Sequence, residues 1–150
     1  MGNGTADAKC STESATEFWV TLNRAQQQLL AQMERDLKAA GLPQLSWYDV
    51  LWELDRAVGG RLRPFEIEER TLLTQYNLSR LIDRLEKEGL ARREAFNQDG
   101  RGRWVVLTEA GREMRVRMWK VYRRSIEEHL GARFSEAEAE VLTRLLKRVA

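Results

Sequence analysis

The stretch TQYNLSRLIDRLEKEGLARREAFNQDGRGR, residues 74–103, governs how the rest of the chain is interpreted. Its first half repeats apolar side chains at i, i+3, i+4 and i+7, which is the spacing of one buried face on an α-helix. These side chains are Leu78, Leu81, Ile82 and Leu85. Thr74 is suited to cap this helix, since its hydroxyl can accept from an open backbone N–H, and Gly89 is suited to close it. The pattern predicts a helix with one buried and one polar face.

The second half of the stretch has the pattern of a β-hairpin. Residues 90–94 and 104–107 are predicted as short strands, joined by a loop over residues 97–103. The glycines of the loop permit a positive φ, as a tight hairpin turn requires. Arg101 and Arg103 are expected to lie on the ribbon that projects from the domain.

A polar helix followed by a basic hairpin favours a DNA-reading unit. Asn, Gln, Ser and Arg side chains can hydrogen-bond base edges in a major groove, and an arginine at a hairpin tip can enter the adjacent minor groove. The alternative is an ordinary amphipathic helix whose polar face is only solvated. The order helix, helix, hairpin with a basic tip favours the winged helix-turn-helix interpretation.

Composition and charge limit the class of protein. The 150 residues are enough for one domain, and 32% charged with 8% aromatic residues is typical of a soluble, helix-rich protein. The net charge of +2 is too small to indicate nucleic-acid binding by itself. Its distribution is more informative, because residues 1–60 hold 5 basic and 8 acidic residues whereas residues 61–103 hold 10 and 8.

The sequence lacks the residue constellations of the common catalytic and zinc sites. Cys10 and His129 are the only cysteine and histidine, which excludes an intramolecular disulfide and does not support a zinc site or a histidine-based triad. We therefore predict no catalytic residues, no metal and no cofactor. His129 is expected at the surface or at an interface. No apolar run is long enough to cross a bilayer and no signal peptide is present, so a cytoplasmic protein is expected.

The flanking segments are predicted as helices around the reading unit. Residues 1–14 are expected to be a disordered tail, and residues 15–60 to form dimerisation and support helices. A helix over residues 15–40 is followed by a second one, which Ser46 is expected to open in a capping box with Asp49. Residues 61–108 form the predicted winged helix-turn-helix. Its first helix, residues 64–72, is expected to pack through Phe65, Ile67 and Leu72.

The C-terminal residues 109–150 are predicted as two further dimerisation helices, capped by Thr108 and Ser135. The first helix and these last two are too apolar on one side for the small middle domain to cover. The alternative is that they bury their faces within one chain, but a single winged-helix domain is too small for that. We therefore predict a mainly α, α+β fold and a homodimer.

The motifs in residues 61–111 resemble the winged-helix domain of the MarR family of bacterial transcriptional regulators. The matching residues are Ser79 to Glu86, Glu88-Gly89-Leu90, Arg93, Asp99-Gly100-Arg101 and Val106 to Gly111. Outside these motifs the resemblance extends in outline over the chain after residue 16. One departure is Glu68, where the family usually has a small residue. The resemblance implies a dimer whose two reading helices lie about one DNA turn apart, roughly 34 Å.

Within this interpretation each polar residue receives a role on double-stranded DNA. Gln75, Asn77 and Arg80 are expected at base edges, and Tyr76 at a thymine methyl or a phosphate. Phosphate contacts are expected from Thr74, Ser79 and Arg84. Arg101 is the expected minor-groove residue, the resemblance implies that Asp99 orients it, and Arg103 either assists or stays on the backbone.

MarR-like proteins commonly bind small aromatic or phenolic ligands between the dimer helices and the reading domain. The resemblance therefore implies an effector pocket, for which the candidates are Trp19, Arg24, Trp47, Trp52, Arg56 and Trp119. Aromatic residues at helical spacing are more often core than pocket. Cys10 lacks an evident cationic neighbour other than Lys9, which disfavours a peroxide-sensing role.

The function expected from the sequence is a ligand-responsive repressor that binds a palindromic operator as a homodimer. The alternative is a winged-helix module that binds other proteins and never contacts DNA. The operator, the effector and the regulated genes do not follow from the residues.

Overall fold

The computed structural model describes residues 8–95 and 102–150. These residues are mostly helical and include a small three-stranded antiparallel sheet, which confirms the predicted fold class. The elements in chain order are α1 Thr12–Ala39, α2 Leu45–Arg56, a 3-10 turn Val58–Gly60, β1 Arg61–Leu62, α3 Pro64–Arg70, α4 Gln75–Lys87, β2 Ala91–Ala95, β3 Arg103–Leu107, α5 Glu109–His129, a 3-10 turn Gly131–Arg133 and α6 Glu136–Leu146. The strand order is β1-β3-β2.

Helix α2 forms the centre of the core. Val50, Leu51 and Leu54 are fully buried, and the inward side chains of the sheet and of α3, α4 and α5 pack around them. The predicted apolar stripe of α4 is buried along its whole length. The position of α4 is therefore fixed by burial of one face, which leaves the other face outside.

The starts of α1 and α2 differ from the prediction. Helix α1 begins at Thr12, capped by the Ser11 hydroxyl, so the last residues of the predicted tail are helical; residues 1–7 lie outside the described residues. The capping box predicted for Ser46 and Asp49 is wrong. Helix α2 starts after Gln44 without a side-chain cap, because the Leu45 N–H donates to Glu34 of α1 at 2.9 Å.

Helix α3 is shorter and less buried than predicted. It ends at Arg70 instead of residue 72, and the Thr71 hydroxyl donates to the Ile67 carbonyl at 2.8 Å. Phe65 and Leu72 are exposed by 53% and 104%, and only Ile67 is buried. A helix of two turns presents a single residue to the core, so the expected packing through Phe65 and Leu72 is wrong.

The end of α4, the base of the hairpin and the start of α5 meet at one place, the wing junction, made of Gly89, Leu90, Thr108 and Gly111. Gly89 has φ +71°, and the Leu90 N–H donates back to the Leu85 carbonyl at 2.8 Å, which closes α4. The Thr108 hydroxyl donates to the Gly89 carbonyl at 2.6 Å and accepts from the Gly111 N–H at 3.0 Å.

Gly111 approaches the backbone of Leu90 so closely that only glycine fits. A Cβ at this position would lie 2.0 Å from the Leu90 carbonyl oxygen and 2.7 Å from the Leu107 side chain. Packing thus explains which residues stand in the segment Leu107 to Gly111: Thr108 caps α5, and Gly111 lets α5 contact the end of α4.

Helices α1 and α5 are joined by a partly buried polar contact. Asp36 accepts from the Ser125 hydroxyl at 2.6 Å, and it lies 2.9 Å from His129 Nε2. Two hydrogen bonds lower the pKa of the Asp36 carboxyl below its usual value. The bond from Ser125 has the larger effect and the bond with His129 the smaller one. His129 is therefore half-buried inside the chain and links two helices, in contrast to the surface or interface position expected from the sequence.

The terminal helices leave apolar surface uncovered. Helix α6 contains no buried residue, and the N-terminal half of α1 is exposed. The uncovered large side chains include Phe18, Trp19, Val20, Leu30, Val116, Trp119, Phe134, Val141, Leu142 and Leu145. None of the helices in residues 8–95 and 102–150 combines the length and apolar character required to cross a membrane.

We expect Gly111→Ala to lower the free energy of unfolding by about 3 kcal/mol, because the added methyl group collides with backbone that cannot move without displacing the wing. Urea denaturation followed by circular dichroism measures this change. Gly131→Ala is the matched control, since the nearest atom to its Cβ is 4.0 Å away. Equal stability of the two variants would contradict the close-packed junction.

Candidate nucleic-acid interface

Helix α4 presents seven predicted DNA-contacting residues to solvent. Thr74 is the N-cap, and its hydroxyl accepts from the Asn77 N–H at 3.3 Å, as the sequence predicts. All seven side chains belong to exposed residues: Thr74, Gln75, Tyr76, Asn77, Ser79, Arg80 and Arg84. The structure therefore brings them together on or beside one helix face.

Arg80 is held in place by Tyr76 one turn earlier. Its Nη1 donates to the Tyr76 hydroxyl at 2.9 Å, and its guanidinium carbon lies 5.4 Å from the centre of the tyrosine ring. Both residues are exposed, so the contact orients Arg80 without covering it. An arginine that is already oriented loses less conformational entropy when it binds.

Arg93 of β2 connects the reading helix to the wing. Its guanidinium lies 2.6 Å from Asp83 and 3.1 Å from Glu86, and its backbone N–H donates to the second Glu86 oxygen at 3.0 Å. The two acidic residues of α4 therefore share one guanidinium of the wing strand, which offsets part of their negative charge. Sequence reasoning missed this role, because the pairing of α4 with β2 depends on how the chain folds back.

The hairpin tip is only partly described. Arg103 is exposed at the first position of β3, opposite Ala95, and Gly102 has φ +79°. Asp99 and Arg101, the predicted minor-groove pair, lie outside the described residues.

Three of the predicted effector residues form an aromatic cluster on α2 and α5. Tyr48 stacks on Trp52 and on Trp119, with ring centres 6.3 and 6.0 Å apart, and Arg56 lies 6.0 Å from the Trp52 ring. Sequence reasoning missed Tyr48, whose burial raises the pKa of its hydroxyl. It also missed Arg115, which lies 2.6 Å from Asp55 and covers the Trp52 ring.

The other three predicted effector residues lie elsewhere. Trp47 lines a separate crevice of about 640 Å³ between the α1–α2 turn, α4 and α5. The other residues that line this crevice are Gly41, Leu42, Pro43, Gln44, Arg84, Glu88, Leu90, Met114 and Arg117. Trp19 and Arg24 are exposed on the N-terminal half of α1, apart from both places. The six candidates therefore do not form one pocket within a single chain.

These features define a winged helix-turn-helix protein, in which α3 and α4 form the helix pair and β1, β2 and β3 form the wing. Residues 40–102 match the model of the MarR family. Over these 63 residues the chain is therefore similar to the MarR family.

Solved structures of MarR regulators match almost the whole chain. AbsC from Streptomyces coelicolor is 28% identical, with a TM-score of 0.81 and 95% of both chains covered. Sco3205 from the same organism, solved in complex with DNA, is 24% identical, with a TM-score of 0.83 and coverage of 96% of this chain and 90% of that one.

A third similar structure is RdhR, an organohalide-sensing regulator in its 2,4-dichlorophenol-bound form. It is 18% identical, with a TM-score of 0.79 and coverage of 97% of this chain and 86% of that one. At this level of identity the likeness concerns the fold. A search of curated proteins gave no sequence match.

We expect Arg93→Ala to lower the free energy of unfolding by about 1 kcal/mol, since two partly exposed ion pairs disappear and salt screens such pairs. The amides of β2 and β3 should exchange with deuterium faster than in the wild type. Arg92→Ala, which removes only an exposed pair with Glu94, is the control. The connection would be disproved if both variants exchanged at the same rate.

Proposed function

We propose that the chain is a sequence-specific double-stranded DNA-binding regulator that represses transcription from a palindromic operator. The observation that carries the proposal is the exposed polar face of α4, where Arg93 of the wing pairs with both Asp83 and Glu86. The single guanidinium offsets part of the negative charge of these two carboxylates and so reduces the repulsion between α4 and phosphates. Because a DNA-binding regulator acts where DNA lies, a cytoplasmic location is part of the proposal.

The proposed contacts follow from the positions of the side chains. Gln75, Asn77 and Arg80 lie in the first two turns of α4, where a helix inserted by its N-terminal end contacts base edges. Thr74 and Arg84 are placed for phosphate oxygens, which position the protein without reading sequence. Arg103 continues the contact along the wing toward the minor groove.

A homodimer is part of the proposal, because a palindrome needs two reading helices. The support for a dimer is the uncovered apolar surface of α1, α5 and α6. Exposure of this surface to water is unfavourable, and a second copy of the chain would bury it. Two-fold symmetry through these helices would set the two copies of α4 roughly 34 Å apart, one turn of DNA.

A small aromatic or phenolic effector completes the proposal. The support is the crevice beside Trp47, because Arg84 of the reading helix and Arg117 of α5 line the same space. A phenolate stacked on Trp47 would attract these guanidiniums and change the position of α4 relative to α5. RdhR, which has the same fold, was solved with 2,4-dichlorophenol.

The test of DNA binding uses the purified chain and duplexes selected from a random-sequence pool. We expect a steep fall of affinity with salt, clear preference for the selected palindrome, and two chains per duplex. Arg80→Ala should weaken the free energy of DNA binding by about 1–3 kcal/mol and relax the preference for particular bases. Arg84→Ala should weaken all duplexes alike and lower the salt slope by about 1 for each phosphate that the protein no longer neutralises.

Two results would contradict this function. Equal affinity for selected and random duplexes would show that binding is not sequence-specific. The absence of any salt-dependent DNA binding would favour the alternative, a winged-helix module that binds other proteins.

The effector is tested with 2,4-dichlorophenol as the probe. We expect it to weaken binding of the wild type to the selected duplex, and we expect Trp47→Leu to remove the response while still binding DNA. Trp119→Leu, in the separate aromatic cluster, is the control and should keep the response. If Trp119→Leu alone abolishes the response, the site is the aromatic cluster; if the wild type does not respond, phenolic ligands are not effectors.

A further inference from the structure

A mixed cluster of nitrogen and oxygen ligands lies where the C-terminal ends of α1 and α5 meet. Asp36 is in the last turn of α1, and Glu128 and His129 are the last two residues of α5. One possible ligand atom from each of these three side chains lies within 4.8 Å of the others. We name Asp36, Glu128 and His129 the helix-end cluster. None of these residues belongs to the polar face of α4 or to the crevice beside Trp47.

The distance between the imidazole and the first carboxylate matches that between two ligands of one metal ion. His129 Nε2 lies 2.9 Å from Asp36 Oδ2. Transition-metal ions bind imidazole nitrogen and carboxylate oxygen at about 2.0–2.2 Å, so two such ligands at a right angle lie about 3 Å apart. An ion can therefore replace the direct contact of His129 with Asp36 while the two side chains keep this separation.

Ser125 orients the Asp36 carboxylate from below the cluster. Its hydroxyl donates to Asp36 Oδ2 at 2.6 Å, and the residue is only 1% exposed. Ser125 lies one helical turn before His129, so both side chains are on the face of α5 that contacts α1. Carboxylates that bind metal ions are commonly held by such a hydrogen bond from a residue that does not itself contact the ion. The orientation of the carboxylate is thus set by the fold.

The charge around the cluster favours a cation. Two carboxylates lie beside one imidazole, and Glu128 is exposed and forms no ion pair within residues 8–95 and 102–150. Both helices end here, and the C-terminal end of a helix carries a partial negative charge. Arg35 opposes this effect through its charge on Asp36, but its guanidinium is hydrogen-bonded to Gln32. The exposed Glu128 leaves the cluster open to solvent on one side.

The ligand types decide the class of ion. Imidazole nitrogen favours first-row transition ions such as Zn²⁺, whereas Mg²⁺ and Ca²⁺ prefer sites built from oxygen alone. Sequence reasoning predicts no metal site, since the chain has one cysteine and one histidine. It cannot detect this cluster, because Asp36 and His129 are 93 positions apart.

We propose that the helix-end cluster binds a first-row divalent transition-metal ion through His129 Nε2 and the carboxylates of Asp36 and Glu128. Water completes the coordination on the exposed side of the cluster. The bound ion joins the end of α1 to the end of α5 by metal–ligand bonds in place of a single hydrogen bond. Because the ion binds the folded chain, it also raises the stability of this pair of helices.

The test uses the full chain without a histidine tag, and Zn²⁺ as the probe. His129 is the only histidine of the sequence, so a single imidazole reports on the site. Coordination through Nε2 leaves the ring proton on Nδ1, which the two nitrogen-15 shifts of the imidazole reveal in an NMR spectrum. We expect one Zn²⁺ per chain in calorimetry and this change at His129, and neither signal with Mg²⁺ or Ca²⁺. A hydrogen bond that only links two helices predicts none of these results.

Glu128→Gln and Glu127→Gln are the matched pair of variants. Both residues are exposed neighbours at the end of α5, so both variants should fold, but Glu127 lies near Arg123 at 3.6 Å and is not part of the cluster. We expect Glu128→Gln to lower the affinity for Zn²⁺ by at least about tenfold and Glu127→Gln to leave it unchanged. Ser125→Ala should lower it by roughly 10–100-fold, because the carboxylate loses the hydrogen bond that orients it.

Three results would overturn the inference. One is a His129 spectrum that does not change with Zn²⁺, and another is an equal loss of affinity in Glu127→Gln and Glu128→Gln, which would indicate binding to surface carboxylates in general. The third is the absence of zinc binding, since sites of nitrogen and oxygen ligands bind Zn²⁺ more tightly than Mn²⁺ or Fe²⁺. The proposed DNA-binding function does not depend on the outcome, because the cluster contains no residue of α4.

Discussion

The close approach of Gly111 to the Leu90 carbonyl holds the reading helix, the wing and α5 in a single arrangement. The reading helix ends there, the wing begins and α5 starts, and a single methyl group at this point would lie 2.0 Å from a backbone oxygen. Thr108 completes the junction, because its hydroxyl bonds both to the end of α4 and to the start of α5. The end of α4, the base of the wing and the start of α5 are therefore in direct contact at this junction.

Ion pairs and arginine–aromatic contacts determine the charge of the surface that this packing exposes. Arg93 pairs with both Asp83 and Glu86 and offsets part of their negative charge, and the same bonds connect the hairpin to the helix. Arg80 of α4 lies against the Tyr76 ring, and Arg61 of β1 lies against the Trp104 ring. Aromatic partners orient a guanidinium without cancelling its charge.

The helices outside the winged domain connect ligand sensing to DNA binding in the proposed mechanism. Asp36 of α1 hydrogen-bonds to Ser125 and His129 of α5, so these two long helices are linked by polar contacts as well as by packing. The crevice beside Trp47 lies where this pair of helices meets α4. In that mechanism a ligand in the crevice changes the distance between Arg84 and Arg117 and with it the angle between α4 and α5.

Several features that depend on neighbours within one or two helical turns were predicted from local sequence. The buried stripe of α4, the caps at Thr74, Thr108 and Ser135, and the turn at Gly89 were predicted correctly, because each rests on contacts between residues up to about four positions apart. Two features became visible only in the folded chain. One is the start of α2, where Glu34 supplies an acceptor from 11 residues away, and the other is the exposure of Phe65 and Leu72. The same is true of the Arg93 and Arg61 contacts, since these depend on which strands become neighbours, and no local periodicity encodes that choice.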